Sequence, residues 1–229
     1  MRLTLTQIMQ QIGSTVNQEA TAPTAGGAEY NLWLNYINRG IQEWSEANDW
    51  EALRKYYRPG VTGISQASVA LPLDYKKLAA PVKLHKSGEV EGGTSYADIL
   101  EEQQGLYKST DEYVYETGDS SSGFNLVFHP GTLSSGASVE IQYYAMPTSL
   151  ASPAEVPMVS DSQFLVDRTI AFIFEARSDV RYQTMESKAR DRLLTMVENS
   201  NLSKYSVNSL GIIISAFILY SGCRYQGKK

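Results

Sequence analysis

The chain has 229 residues, 42% of them apolar and 20% charged, with a formal net charge of -5. That length can bury a sizeable core in one domain or in a domain with an insertion, and the acidic balance argues against a protein that grips nucleic acid over a broad surface. One cysteine, Cys223, excludes an intramolecular disulfide or thiolate cluster, and two histidines, His85 and His129, exclude a multi-histidine zinc site within one chain.

In chain order, Leu5, Ile8, Met9, Ile12 and Val16 recur at helical spacing and predict a first helix over Leu3 to Gln18. The same opening stretch is too polar for the apolar core of a signal peptide, so a cytoplasmic origin is expected. EATAPTAGG (Glu19 to Gly27) breaks the pattern. A second helix then runs from about Ala28 to Ala47 on Trp33, Tyr36, Ile37, Ile41 and Trp44. From Trp50 the pattern turns to strands. Ala52 to Arg58 and Gln66 to Leu71 read as a hairpin across the PGVTG turn. LPLDYKKLAAPVKL (Leu71 to Leu84) reads as a strand end, a short turn or helix, and another strand. After the glycines near Gly88 to Gly93, a short acidic helix is expected over Tyr96 to Gln104. Strands follow at Glu112 to Thr117, Phe124 to Pro130 and Ser138 to Met146, joined by Ser/Gly turns that tolerate unusual backbone angles.

The last of these strands alternates Val139, Ile141 and Tyr143 with Glu140, Gln142 and Tyr144, and Pro147 stops its ladder. Pro153 and Pro157 keep the connector extended. Ser160 or Asp161 caps an amphipathic helix reaching about Asp179. A further helix over Gln183 to Asn199 turns Met185, Ala189, Leu193, Met196 and Val197 inward beneath a solvated mixed-charge face. Beyond Asn199 there is no acid, and LGIIISAFILY (Leu210 to Tyr220) is too short for a bilayer span, which needs roughly 20 residues. That run is either a last core strand or a tail that docks on another protein, because exposed apolar segments of this kind rarely stay unburied.

Enzyme signatures are absent: no GxSxG elbow, no P-loop and no HExxH helix occur. The acidic run Asp98, Glu101, Glu102, Asp111, Glu112, Glu116 and Asp119 does not match the spacing of an EF-hand loop. No catalytic residue, metal ligand or cofactor is therefore expected, and no enzymatic activity.

Two stretches resemble the head-to-tail adaptor, or connector, proteins of tailed bacteriophages: Leu71 to Leu84, and Val139 to Tyr182. Tyr143, Tyr144, Pro147, Leu150, Pro157 and Leu165 occupy the positions of a strand ending in a tyrosine pair, then a proline and a leucine, then a proline before a long helix. The resemblance implies an α+β fold: a helical bundle from N- and C-terminal helices (1–49 and 160–201), a β-strand-rich insertion (50–159) and a C-terminal docking tail (202–229). It implies a structural protein of the virion, made in the host cytoplasm, whose copies form a ring, usually of twelve. Portal protein and a downstream tail or nozzle protein would be its partners, DNA would pass through without specific binding, and no membrane is involved. Leu210, Ile212, Ile213, Ile214, Phe217, Ile218, Leu219, Tyr220 and Arg224 are then the candidates for portal docking. The alternative reading is a receptor- or carbohydrate-binding module of a tail fibre or baseplate, which Tyr-rich strands and Ser/Gly loops would also suit.

Overall fold

Packing divides the chain into two compact units, Met1–Asn48 with Ser149–Lys229, and Asp49–Thr148. The computed structural model describes residues 2–62, 67–89, 92–108, 111–119, 121–129 and 133–222, without the side chains of 101 and 203–222.

The first unit is helical. Helix α1 (Leu5–Val16) begins with a reciprocal capping box: the Thr4 hydroxyl accepts from the Gln7 N–H, and the Gln7 side chain accepts from the Thr4 N–H at 2.9 Å. Its buried face is Leu5, Ile8, Met9, Ile12 and Gly13. Helix α2 (Ala28–Ala47) buries Trp33, Ile37, Ile41 and Trp44, as the spacing predicts. Helix α3 (Ser162–Ala176) is capped by Asp161, whose carboxylate accepts from the Gln163 N–H at 3.0 Å. It is not the amphipathic helix expected from its sequence. Every residue from Phe164 to Phe174 except the half-buried Arg168 is buried, Asp167 and Thr169 included. The reason is its central place: α1, α2 and the last helix, α4 (Tyr182–Gly222), all pack on it, so little of its surface is left for water.

Helix α4 departs from expectation in length. It was expected to end near Asn199 but continues to Gly222, and so carries Leu210 to Tyr220 as helix rather than as a last core strand. Physically, nothing stops it: no proline lies between Asn199 and Gly222, and a single internal Gly211 is tolerated. At 1.5 Å per residue α4 is about 60 Å long. Within its first half Met185, Ala189 and Met196 are buried. Among the described residues, no helix is long and apolar enough to cross a membrane.

The second unit is a curled sheet of eight strands: β1 (Arg54–Tyr57), β2 (Ser68–Ala70), β3 (Tyr75–Leu78), β4 (Val82–His85), β5 (Thr94–Ile99), β6 (Tyr113–Asp119), β7 (Gly123–His129) and β8 (Ser138–Ala145). Their order is β1-β8-β4-β5-β6-β7-β2, with β3 also paired to β8 and, among the described residues, only β5–β6 parallel. Strand β8 is the spine. Its residues alternate buried and half-buried along the whole strand, with β1 on one side and β3 then β4 on the other. Val61 and Val69, from the two margins of the sheet, share one apolar cluster with Val114, Leu126, Val139 and Ile141, which is why the sheet curls.

Two expectations fail here. The hairpin across PGVTG does not form, since β1 pairs with β8 and β2 with β7. After β1 the chain keeps following β8, with the Val139 N–H donating to the Pro59 carbonyl and the Val61 N–H to that of Ala137. The apolar faces of β7 and β8 thus outcompete a local turn. The acidic helix expected at Tyr96 to Gln104 is instead strand β5 followed by a 3-10 helix, Glu101–Leu106. Tyr96 and Ile99 are both buried, which a strand between β4 and β6 achieves and an exposed helix would not.

Candidate docking surfaces and the junction motif

The six junction residues fall into both units, three in each. In the sheet unit, Tyr143 points inward and donates its hydroxyl to Asp74 at 3.0 Å, and Lys55 donates to the other oxygen of that carboxylate at 2.5 Å. Burial, then the Asp74 contact, pushes the Tyr143 phenol up to about 12. Asp74 lies below its usual range although burial opposes this, because Lys55 and Tyr143 both donate to it. Tyr144 faces the other side of β8, with the Lys77 ammonium 5.7 Å from its ring centre and itself paired to Asp49 at 2.6 Å. Pro147 is half-buried just beyond the strand.

In the helical unit the connector is tied down rather than loose. Asn38 of α2 accepts from the Leu150 N–H at 2.8 Å and donates to the Leu150 carbonyl at 3.0 Å, so one side-chain amide satisfies a whole backbone unit. The first N–H groups of α1, which have no partner inside their own helix, donate to connector carbonyls: Leu5 to Glu155 at 2.8 Å and Thr6 to Pro153 at 3.1 Å. The Glu155 carboxylate accepts from the N–H groups of Ala151 and Ser152, which hold it below its ordinary range. Pro157 is buried. Leu165 is fully buried against α2, where a Cβ on Gly40 would meet it at 3.3 Å. Tyr143, Leu150 and Leu165 thus order their own units, and nothing brings the six together in one cavity.

Of the tail candidates, Leu210, Ile212, Ile213, Ile214, Phe217, Ile218, Leu219 and Tyr220 lie on the backbone of α4, with side chains outside the described residues, and Arg224 lies outside them altogether.

Sequence reasoning missed Arg168. Its guanidinium takes Glu43 of α2 in a two-pronged pair, Nε at 2.6 Å and the second nitrogen at 3.1 Å, and also pairs with Glu186 of α4. The same group stacks 4.3 Å over Phe172, as does Arg39. Helical periodicity carries no information on which carboxylates of other helices a cation on α3 meets. Also missed was a small polar group on the inner face of the sheet. Tyr75 is buried and donates to Glu116, and Asp98 lies beside that carboxylate on the neighbouring strand. Burial raises Glu116, the Tyr75 bond opposes this, and Asp98 adds to it. His85, buried at the end of β4, contacts Glu140 at 2.9 Å through Nε2 and is covered by Gly93, whose left-handed φ of 70° brings the backbone against the imidazole.

These arrangements hold strands and helices in place and leave outer surfaces for partners. A family model described as SU10 adaptor protein matches residues 3–207. No curated protein matches the chain.

Proposed function

The chain belongs to the SU10 adaptor protein family and is a bacteriophage structural adaptor, and from that premise we propose that its copies assemble as a non-catalytic ring joining the portal to the next tail component. The match over residues 3–207 carries this reading. It takes in both units and more than half of α4.

Portal docking is assigned to the distal part of α4. On a helix, Leu210, Ile213, Ile214, Phe217 and Ile218 follow the i, i+3, i+4, i+7, i+8 spacing that puts apolar residues on one face. An apolar helical face laid into a groove is a common recognition mode. DNA passage is supported by charge: a conduit must let the duplex slide, and a net charge of -5 works against overall retention of a polyanion.

The test is loading of purified portal rings, read by sedimentation. The full chain should co-migrate with the portal in several copies, and a chain lacking Leu210 to Lys229 should not. Undiminished loading of the truncated chain would overturn the docking role of α4. A full chain that never joins a portal would overturn the ring reading.

A further inference from the structure

The sheet unit is electrically polar across its width. Residues 54–86, which supply β1 to β4, contain seven Lys or Arg and one acid, Asp74. Residues 92–119, which supply β5, the 3-10 helix and β6, contain seven Asp or Glu and one base, Lys108. In the sheet β1, β3 and β4 flank β8, while β5 and β6 are consecutive, so the two charge sets occupy separate parts of the same sheet. They also differ in compensation. Arg54, Lys55 and Lys77 have ion-pair partners in Glu51, Asp74 and Asp49. Among the described residues, no ion pair neutralises a carboxylate of the acidic set; Asp111, for one, accepts from the Lys108 backbone N–H at 2.8 Å. Glu102, Asp111 and Glu112, outside the inner-face group of Tyr75, Glu116 and Asp98, form an acidic surface without an ion-pair partner in their own chain, which raises the energy of the isolated chain and is relieved by a basic partner.

Each flank also exposes apolar surface. On the acidic side the 3-10 helix presents Leu106 at 82% exposure, with Leu100 and Tyr107 beside it. On the basic side β1 is an edge strand, its backbone paired only to β8, and it presents Tyr56 at 57% exposure. An apolar centre inside a charged rim is the usual anatomy of a protein contact.

We infer that the occupant of each flank is a second copy of this chain: the basic flank of β1, β3 and β4 in one sheet unit meets the acidic β5–β6 flank of the next, head to tail. The complementarity lies between two different patches of the same chain. A head-to-tail contact of that kind continues from copy to copy and closes into a ring where the rotation between copies closes, as seating on a portal ring would require. This inference rests on the ring reading and adds to it which surfaces form the seam. Arg58 and Lys86, both exposed near the Ser138 end of β8, and Glu102 and Glu112 across from them are the charges that would steer the register.

The experiment uses two full-length variants, Glu102→Lys/Glu112→Lys and Arg58→Glu/Lys86→Glu, loaded on portal rings at low salt. Each alone places like charges across every seam and should assemble at least about tenfold more weakly than the unaltered chain, since like-charge juxtaposition costs several kcal/mol. An equal mixture restores opposite charges at every seam, so rings should return. Circular dichroism and thermal melting of each variant keep misfolding separate from lost assembly. Undiminished assembly of either variant, or a mixture no better than its components, overturns the seam. Rescue that yields only dimers overturns its head-to-tail sense. Failure of the unaltered chain to form multi-copy assemblies is the distinct outcome that overturns the ring reading itself.

Discussion

Glu116 keeps its carboxyl on the inner face of the sheet, where Tyr75 donates to it and Asp98 lies nearby. Burial holds its pKa above that of the unfolded chain, so the folded state retains a proton that the unfolded state gives up. The stabilisation from that proton is complete below the unfolded value of about 4.3 and is lost as pH rises through the folded value. Gln cannot ionise and still accepts from Tyr75. Denaturant unfolding of Glu116→Gln should therefore show stability relative to the unaltered chain increasing from pH 4 to pH 7. A difference that does not vary with pH would contradict this assignment. None of it was legible from sequence, because Tyr75 and Glu116 are 41 positions apart and meet only once the sheet has curled. Gly118 was more legible. The turn-rich GDSSSG segment marked a reversal, and Gly118 sits there with a φ of 97° that other residues rarely adopt, while a Cβ would overlap the Gly123 carbonyl.

At the scale of elements, Arg168 joins three helices by pairing with Glu43 of α2 and Glu186 of α4 from its place on α3. Its side chain is mostly buried, whereas the two carboxylates are about a third exposed, so water takes up part of the loss when it is removed. Arg168→Ala should cost about 2–3 kcal/mol, below the 3–5 typical when a fully buried pair is broken. Thermal unfolding measures it, and a change under about 0.5 kcal/mol, as at an ordinary surface site, would contradict the junction. Helices were the legible elements. A 3.6-residue period is local information, and α1 and α2 fall close to where it places them. Strand existence was also legible at β6, β7 and β8, where alternation is long. Strand partners were not. The three or four residues of β1 and β2 find their neighbours on β8 and β7 through contacts more than fifty positions away, which no local pattern contains. Tyr96 to Ile99 reads as helical from its acids and is a strand because its two sides are already occupied by β4 and β6.

On the scale of the whole molecule, a helical unit and a sheet unit each have their own buried residues, and α4, at 41 residues, is far longer than the 15-residue α3 it packs on. The site was the least legible level. An adaptor works through surfaces, and the residues that order each unit, such as Tyr143 and Leu165, are better marked in the sequence than those that meet a partner. The chemistry expected of the distal α4 segment follows from its apolar run, while its helical form comes from the structure. The proposed role is that copies of this chain ring the portal and hold it through that segment. Electron microscopy of portal rings mixed with the full chain tests it most directly. The expected image is a closed ring of this chain on one end of the portal, with the helix carrying Leu210 to Tyr220 seated against portal subunits. Bare portals beside unattached chains, or trimers that bind glycans instead, would contradict it.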